Sequence, residues 1–146
     1  MALYEHILVA IDDSDIATRI IEHALTLAHS KVRISLMSVI ALDPLLHADF
    51  YAVTPAIGEY FKAAAAQAEQ RLQQLQTEMQ AQGFVVDVHV VKDQLPAAGI
   101  LALAEELQVD CILMGSHGRR GIEKWLLGSV AQQVLTQTLV PVMIVK

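Results

Sequence analysis

The loop at residues 115–129 contains the residue types that hold an anion. Gly115 and Gly118 carry no Cβ, so backbone amides there can approach a bulky ligand and φ can be positive. Gly128-Ser129 stands at the start of a predicted helix, where unpaired N–H groups and the helix dipole favour a phosphate. The Ser129 hydroxyl adds a further donor. This arrangement predicts an anion site in which backbone amides are ligands.

The same loop concentrates positive charge in an acidic protein. The chain has 10 Lys and Arg against 16 Asp and Glu, a formal net charge of −6, which argues against nucleic acid as the main partner. Within the loop three cations stand against one carboxylate: Arg119, Arg120, Lys124 and Glu123. Neutralising a phosphate is one reason for such a cluster, and solvation of an exposed turn is the other. The residues alone leave both open.

Spacing excludes two well-known phosphate loops. A Walker loop needs Lys and Ser or Thr directly after its last glycine, whereas Gly121 is followed by Ile122. A dinucleotide loop needs G-x-G-x-x-G after the first strand, where this sequence has Asp12-Asp13-Ser14. Any nucleotide is therefore expected to be held by a different loop, after the fourth strand.

Other reactive sites find little support in the sequence. The single cysteine, Cys111, excludes an intrachain disulfide and a Cys-based zinc site, and its place inside a predicted strand indicates a packing residue. Ser116 and His117 are adjacent, so their side chains are expected to point apart, and Gly-Ser-His-Gly is not a G-x-S-x-G elbow. The sequence predicts no catalytic residue.

The elements that must carry the loop alternate between strands and helices. Apolar runs predict strands at Ile7–Ile11, Ile34–Leu42, Phe84–Val91, Cys111–Met114 and Val142–Val145. Helical periodicity predicts helices over Ala17–Ala28, about Glu59–Gln82, Pro96–Leu107 and around Val130–Leu135. Residues 43–58 are predicted to be a loop or short turns, because two prolines and Gly58 interrupt any long element.

This alternation implies right-handed crossovers and a parallel sheet with helices on both faces. Ligands of such sheets lie beyond the carboxyl ends of the strands. The residues expected at those ends are Asp12, Val39 with Ile40, and the loop that begins at Gly115.

Composition indicates one compact domain over residues 1–146. Hydrophobic residues make up 54% of the chain and charged residues 18%, which suits a packed core and not a disordered chain. No apolar run approaches 18 residues, and the N-terminus does not resemble a signal peptide. We therefore expect a cytoplasmic protein without membrane insertion.

The glycine loop resembles a known nucleotide motif. Gly115-x-x-Gly118, nine further residues and Gly128-Ser129 are similar to the G-2x-G-9x-G-S/T pattern of the ATP-binding branch of the universal stress protein (UspA-like) family. The resemblance extends over nearly the whole chain outside residues 43–58. Further similar stretches are Val9–Asp12, Ser38–Ile40, Val109–Gly118 and Val140–Val145.

The resemblance implies an α/β fold and a nucleotide site. The implied fold is a single-domain three-layer α/β/α sandwich with a five-stranded parallel sheet in the order 3-2-1-4-5, Rossmann-like and of the adenine nucleotide alpha hydrolase-like type. Asp12 is expected beside the ribose or a phosphate-bound Mg²⁺, and Val39 against the adenine. The family's site corresponds here to Ala10, Ile11, Asp12, Val39, Met114, Gly115, Ser116, His117, Gly118, Arg119, Gly128, Ser129 and Val130.

One position beside that site departs from the family pattern, and one site residue has an alternative role. The position after Val130 often carries a hydroxyl residue in the family, and here it is Ala131, so one phosphate donor is missing. Asp12 also suits a purely structural role as a capping group before the first helix.

The resemblance also implies a function and partners. It implies an ATP-binding protein, with ATP or ADP or AMP as ligand and Mg²⁺ as cofactor, that regulates a stress or signalling response through a protein partner. It further implies a homodimer through the C-terminal strand Val142–Val145, whose edge would otherwise expose backbone groups. A slow Mg-dependent ATPase is an alternative, although no general base and no Walker lysine support it. A nucleotide-free dimeric scaffold or chaperone-like protein is another.

Overall fold

The computed structural model describes residues 3–29, 31–41, 55–117 and 126–146. Over these ranges it contains five strands, β1 (His6–Ala10), β2 (Arg33–Ala41), β3 (Val85–Gln94), β4 (Cys111–Gly115) and β5 (Val142–Val145). The helices of the same ranges are α1 (Ala17–Leu27), α2 (Pro55–Ala81), α3 (Pro96–Leu107) and α4 (Ser129–Gln137). The strands form one sheet in the order β3-β2-β1-β4-β5, and every neighbouring pair is parallel.

Helices cover both faces of this sheet because successive strand side chains point to opposite sides. On one face, Ile7 and Val9 of β1 pack with buried residues of α1 and α2. On the other face, Leu8 of β1 packs with buried residues of α3 and α4. The predicted three-layer α/β/α sandwich with strand order 3-2-1-4-5 is confirmed, and it is a Rossmann-like arrangement.

The start of α2 corrects one prediction. Residues 43–58 were expected to be irregular, but α2 begins at Pro55 and includes Gly58. Proline suits the first turn of a helix because its missing N–H has no intrahelical partner there. Gly58 is exposed and has no atoms within 4 Å of where a Cβ would lie, so its helical backbone needs no packing partner. The rest of the predicted loop, residues 42–54, lies outside the described residues.

The end of α2 follows the sequence prediction. Gly83 has a φ of +93°, the left-handed conformation that glycine adopts without strain. The Gly83 N–H donates to the Gln80 carbonyl at 3.0 Å, and the Phe84 N–H donates to the Met79 carbonyl at 3.2 Å. These two bonds satisfy the last carbonyls of the helix and direct the chain into β3.

The remaining elements place the carboxyl ends of the strands at one edge of the sheet. Strand β1 lies between β2 and β4, so the segments after Ala10, after Val39 and after Met114 are neighbours in space.

Cys111 is buried at the start of β4, and burial raises the pKa of its thiol, as expected of a packing residue. No helix among the described residues is both long and apolar enough to span a bilayer.

Candidate functional site

The end of β1 is fixed by hydrogen bonds to β2. Ile11 is buried, and its N–H donates to the Met37 carbonyl at 2.9 Å. The buried Ser38 hydroxyl donates to the Ile11 carbonyl, also at 2.9 Å. Both backbone groups of Ile11 are therefore bound. The next residue, Asp12, leaves the sheet from a rigid support.

Asp12 organises the turn between β1 and α1. Its Oδ1 accepts a hydrogen bond from the Ser14 N–H at 2.9 Å and another from the Ser14 hydroxyl. The N-cap residue of α1 is Ile16, and it makes no side-chain cap. Asp12 thus stabilises the turn and does not cap the helix itself. Its second oxygen, Oδ2, has acceptor capacity of its own for a ribose hydroxyl or a cation.

Val39 lies near the end of β2, where α3 approaches closely. The approach depends on Gly99 of α3, since a Cβ there would lie 3.1 Å from Val39 Cγ2 and 3.3 Å from Val91 Cγ1. The Val39 side chain packs with the second core cluster and is only half-buried. Helix α3 therefore sets where the predicted adenine-contacting side chain stands.

Ser116 joins the end of β4 to β5 and to the start of α4. It is only 6% exposed, and its N–H donates to the Val145 carbonyl at 2.9 Å. Its own carbonyl accepts the Gly128 N–H at 2.7 Å. A Cβ on Gly128 would lie 2.7 Å from that same carbonyl oxygen, so only glycine fits without movement. This contact brings the two ends of the predicted glycine loop together.

The first turn of α4 presents backbone donors beside Ser116. Helix α4 begins at Ser129, and its N-cap residue is Gly128, which makes no side-chain cap. The Gly128 carbonyl accepts the Gln132 N–H at 2.9 Å, so the helix is regular from its first turn. The amides of the first turn have no carbonyl partner within the helix, and the Ser129 side chain is exposed next to them. Such a helix end binds anions well.

Ser116 and His117 correct another expectation. Their side chains were expected to point apart, but Ser116 Oγ lies 3.1 Å from His117 Nδ1 and makes a hydrogen bond. Side chains alternate only within a strand, and β4 ends at Gly115, so the alternation stops before this pair. Because Ser116 is buried, the bond orients the His117 ring and does not expose a nucleophile.

The predicted site residues differ in what they can offer a ligand. The side chains of Ile11 and Met114 are buried in the core, and those of Ala10 and Val130 pack against it, so mainly their backbone groups face a ligand. Gly115 has no positive φ, and a Cβ there would lie 3.2 Å from Ile16 Cγ2, so a larger residue would crowd Ile16. The predicted site residues Gly118 and Arg119 lie outside the described residues.

The described residues offer limited support for a metal. They contain no group of three or more His, Cys, Asp or Glu side chains placed to hold an ion. Mg²⁺ in nucleotide sites is bound through one or two carboxylates together with phosphate oxygens and water. A single carboxylate from Asp12 fits that pattern, because the phosphates supply the other ligands.

Ser38 is the residue whose role the sequence did not reveal. It lies in a strand-like run, and the sequence alone does not show that its hydroxyl binds the Ile11 carbonyl in front of Asp12. A small polar residue inside an otherwise apolar buried strand is the signal that points to such a bond.

Ser38→Ala tests this support directly. We expect the free energy of unfolding to fall by about 1 kcal/mol, because the buried Ile11 carbonyl loses its partner. Urea denaturation followed by circular dichroism measures the change, and Ser38→Thr, which keeps the hydroxyl, is the control. An unchanged midpoint in Ser38→Ala would show that the bond does not support the end of β1.

Comparison with known proteins identifies the family. The sequence model of the universal stress protein family matches residues 3–146. The chain belongs to the universal stress protein family. Universal stress protein MJ0531 of Methanocaldococcus jannaschii is 28% identical over 146 residues, which cover 99% of this chain and 83% of that protein.

Solved structures of universal stress proteins share the fold. The structure of protein MJ0577, from the same archaeon, superposes with a TM-score of 0.84 at 28% identity, covering 99% of this chain and 96% of that one. A universal stress protein in complex with cAMP gives a TM-score of 0.59 at 23% identity, covering 98% and 97%. One from Archaeoglobus fulgidus in complex with dAMP gives 0.65 at 21% identity, covering 100% of both chains.

Proposed function

We propose that this universal stress protein binds an adenine nucleotide and regulates a stress or signalling response according to the nucleotide it holds. The ligand is ATP, or its products ADP or AMP, bound once per chain in a single cytoplasmic domain over residues 1–146. The observation that carries the proposal is the contact between Gly128 and the Ser116 carbonyl. It brings a helix N-terminus without a side-chain cap to the carboxyl end of the sheet.

The electrostatics of that end of the sheet favour phosphate. The first turn of a helix carries the equivalent of about half a positive charge, and its free N–H groups point along the axis toward a ligand. The Ser129 hydroxyl stands beside them. Arg119 follows Gly118 in the same loop and adds a cation to an acidic protein. The G-2x-G-9x-G-S spacing resembles the pattern of the family's ATP-binding branch, which supports ATP as the ligand.

Two relatives support an adenine ligand, since one was solved with cAMP and another with dAMP. In our proposal the base lies against Val39 at the end of β2, and the ribose lies near Asp12 at the end of β1. Asp12 would hold Mg²⁺, which would offset phosphate charge. Met114, Gly115, His117 and Gly118 surround the sugar and the first phosphates.

A homodimer through β5 is the second part of the proposal. Strand β5 is at the edge of the sheet. The Pro141 and Val145 carbonyls face β4, since they accept the N–H groups of Ile112 and Ser116. Backbone groups alternate in direction along a strand, so those of Val142 and Ile144 face away from β4. A second copy related by a two-fold axis satisfies them.

The experiment is a calorimetric titration with ATP, ADP and AMP, each with and without Mg²⁺. Before the titration, one aliquot of the purified protein is denatured. Ion-exchange chromatography of its supernatant then detects any nucleotide that copurified. We expect one adenine nucleotide per chain and weaker binding of GTP, because the ligands of both relatives solved with a nucleotide carry adenine. Inorganic triphosphate measures the contribution of the phosphate tail alone.

The outcomes separate the three candidate functions. No binding at millimolar ATP and Mg²⁺ overturns the proposal and leaves the nucleotide-free scaffold. Binding without phosphate release over hours supports the regulator. Binding with steady phosphate release, lost in Gly128→Ala, favours the slow ATPase.

A further inference from the structure

Five polar side chains form a hydrogen-bonded cluster on β1, β2 and β3, away from the nucleotide site. Its centre is the Asp87 carboxylate. Oδ1 accepts the Ser35 hydroxyl at 2.5 Å and lies 2.8 Å from His89 Nε2. Oδ2 accepts Arg33 Nε at 2.7 Å, and Arg33 Nη2 lies 2.6 Å from it. We call these residues, together with His6, the strand cluster.

His6 is the inner end of the strand cluster. His6 Nε2 lies 2.7 Å from Ser35 Oγ. The single hydroxyl proton of Ser35 is used in the bond to Asp87, so His6 Nε2 is the donor in the bond to Ser35. The bonds therefore run from β1 through β2 to β3, and they join three strands by side chains as well as by the backbone.

The strand cluster lies on the edge-strand side of the sheet. Strand register places Ser35 beside Asp87, and β3 has no neighbour on its outer side among the described strands. Ser35 is fully buried, whereas the Arg33 and Asp87 side chains are 53% and 30% exposed. Solvent therefore reaches Arg33 and Asp87 directly. A positive charge on His6, by contrast, would lie beside the buried Ser35 hydroxyl.

Opposing groups surround His6. Burial and the Arg33 guanidinium lower the pKa of His6, and together they outweigh Asp87, Asp110 and the Leu107 backbone carbonyl, which act in the opposite direction. These groups come from β2, β3, the turn before β4 and the end of α3. Burial raises the pKa of Asp87, but hydrogen bonds from Ser35, Arg33 and His89 hold it below its usual range.

We propose that the strand cluster is an acid-sensitive latch that holds the β3 edge to the centre of the sheet. At neutral pH a neutral His6 donates to Ser35 and completes the cluster. In mild acid a positive charge on His6 faces Arg33 and must be desolvated, so the latched arrangement loses stability relative to an opened one. The β3 edge then loosens before the rest of the sheet.

The direction of the effect follows from proton linkage. An unfolded histidine binds a proton near pH 6.5, and His6 in the folded protein binds it at lower pH. Between these values the unfolded state holds more protons than the folded state, so the free energy of unfolding falls as the pH falls. The contribution is fully present above about pH 6.5 and is lost progressively below it.

Urea denaturation between pH 5 and pH 8 tests the latch. His6→Gln keeps a side-chain N–H near the position of Nε2 but cannot titrate, and His23→Gln removes an exposed histidine of α1 as the control. We expect the urea midpoint of the wild type and of His23→Gln to fall between pH 7.5 and pH 5.5, and that of His6→Gln to fall distinctly less. Equal falls in all three proteins would overturn the proposal.

Two NMR measurements do not depend on whether His6→Gln folds. The His6 ring resonances followed by NMR should titrate below the ordinary value of about 6.5, and Arg33→Gln should move that titration upward. Amide protection factors of β3 should fall between pH 7.5 and pH 5.5 while those of β4 stay the same. A His6 titration at or above the ordinary value, or equal loss of protection in both strands, would refute the latch.

Discussion

Replacing Gly128 by alanine is expected to lower the affinity for ATP at least tenfold while the protein remains folded. The new Cβ would lie 2.7 Å from the Ser116 carbonyl oxygen and 3.4 Å from His117 Cα. Both are backbone atoms and cannot rotate away, so the start of α4 must move. The φ of −62° at Gly128 suits alanine, so the effect comes from the contact and not from backbone strain.

The expected magnitude follows from the phosphate contacts that move. Hydrogen bonds to a charged group contribute about 1.5–3 kcal/mol each, and a tenfold change in affinity corresponds to about 1.4 kcal/mol. Losing one first-turn amide of α4 as a phosphate ligand is therefore enough. Calorimetry gives the affinity, and circular dichroism at the same temperature verifies that the variant is folded.

Gly58→Ala is the matched control for this variant. Gly58 is exposed on α2, and no atom lies within 4 Å of the position its Cβ would take. The same chemical change should therefore leave ATP affinity as in the wild type. If Gly128→Ala is folded and binds ATP as tightly as Gly58→Ala does, the start of α4 is not part of the nucleotide site.

The fold could be predicted because its signals are local. Continuous apolar runs such as Ile7–Ile11 indicate strands buried on both faces, and β1 forms there with a shift of one residue. The left-handed glycine at Gly83 and the proline at Pro96 mark helix boundaries that the structure confirms. The start of α2 was missed because Gly58 is unfavourable in a helix, and only the favourable N-terminal proline offsets it.

The site's supporting contacts could not be predicted, because they join residues far apart in sequence. The Ser38 bond to the Ile11 carbonyl depends on strand register, and no local pattern encodes it. The sequence motif marks Gly128 as important, but its reason, the nearby Ser116 carbonyl, exists only in the folded chain. The strand cluster is the extreme case, since His6 and Asp87 meet through Ser35 from three separate strands.

The proposed homodimer through β5 is expected to dissociate when Ile144 is replaced by proline. Proline removes the N–H of residue 144, which faces away from β4, and leaves the inward-facing groups of Val145 in place. Both copies of a two-fold dimer carry the substitution. It therefore removes two hydrogen bonds across the interface and places two proline rings there. We expect the dimer dissociation constant to rise at least a hundredfold, which corresponds to about 2.7 kcal/mol.

Proline keeps an apolar ring at this position, so it disturbs the monomer less than a charged residue on the same strand would. The side chains of Val142 and Ile144 pack with the cluster under α3 and α4, so an aspartate there would disturb the monomer as well as the dimer. Proline is tolerated on edge strands, because the lost donor has no partner within the chain. Leu135 and Leu139, which precede β5 in the chain, are exposed, Leu139 completely.

Sedimentation velocity over a range of concentrations measures the dimer, with Ile144→Val as the control that keeps both the N–H and the branched side chain. The wild type and Ile144→Val should sediment as dimers at concentrations where Ile144→Pro is a monomer with unchanged circular dichroism. A folded Ile144→Pro that stays dimeric would place the interface elsewhere on the molecule. The β5 edge would then need another explanation for its unpaired backbone groups, because β5 itself carries no charged side chain that would keep other strands away.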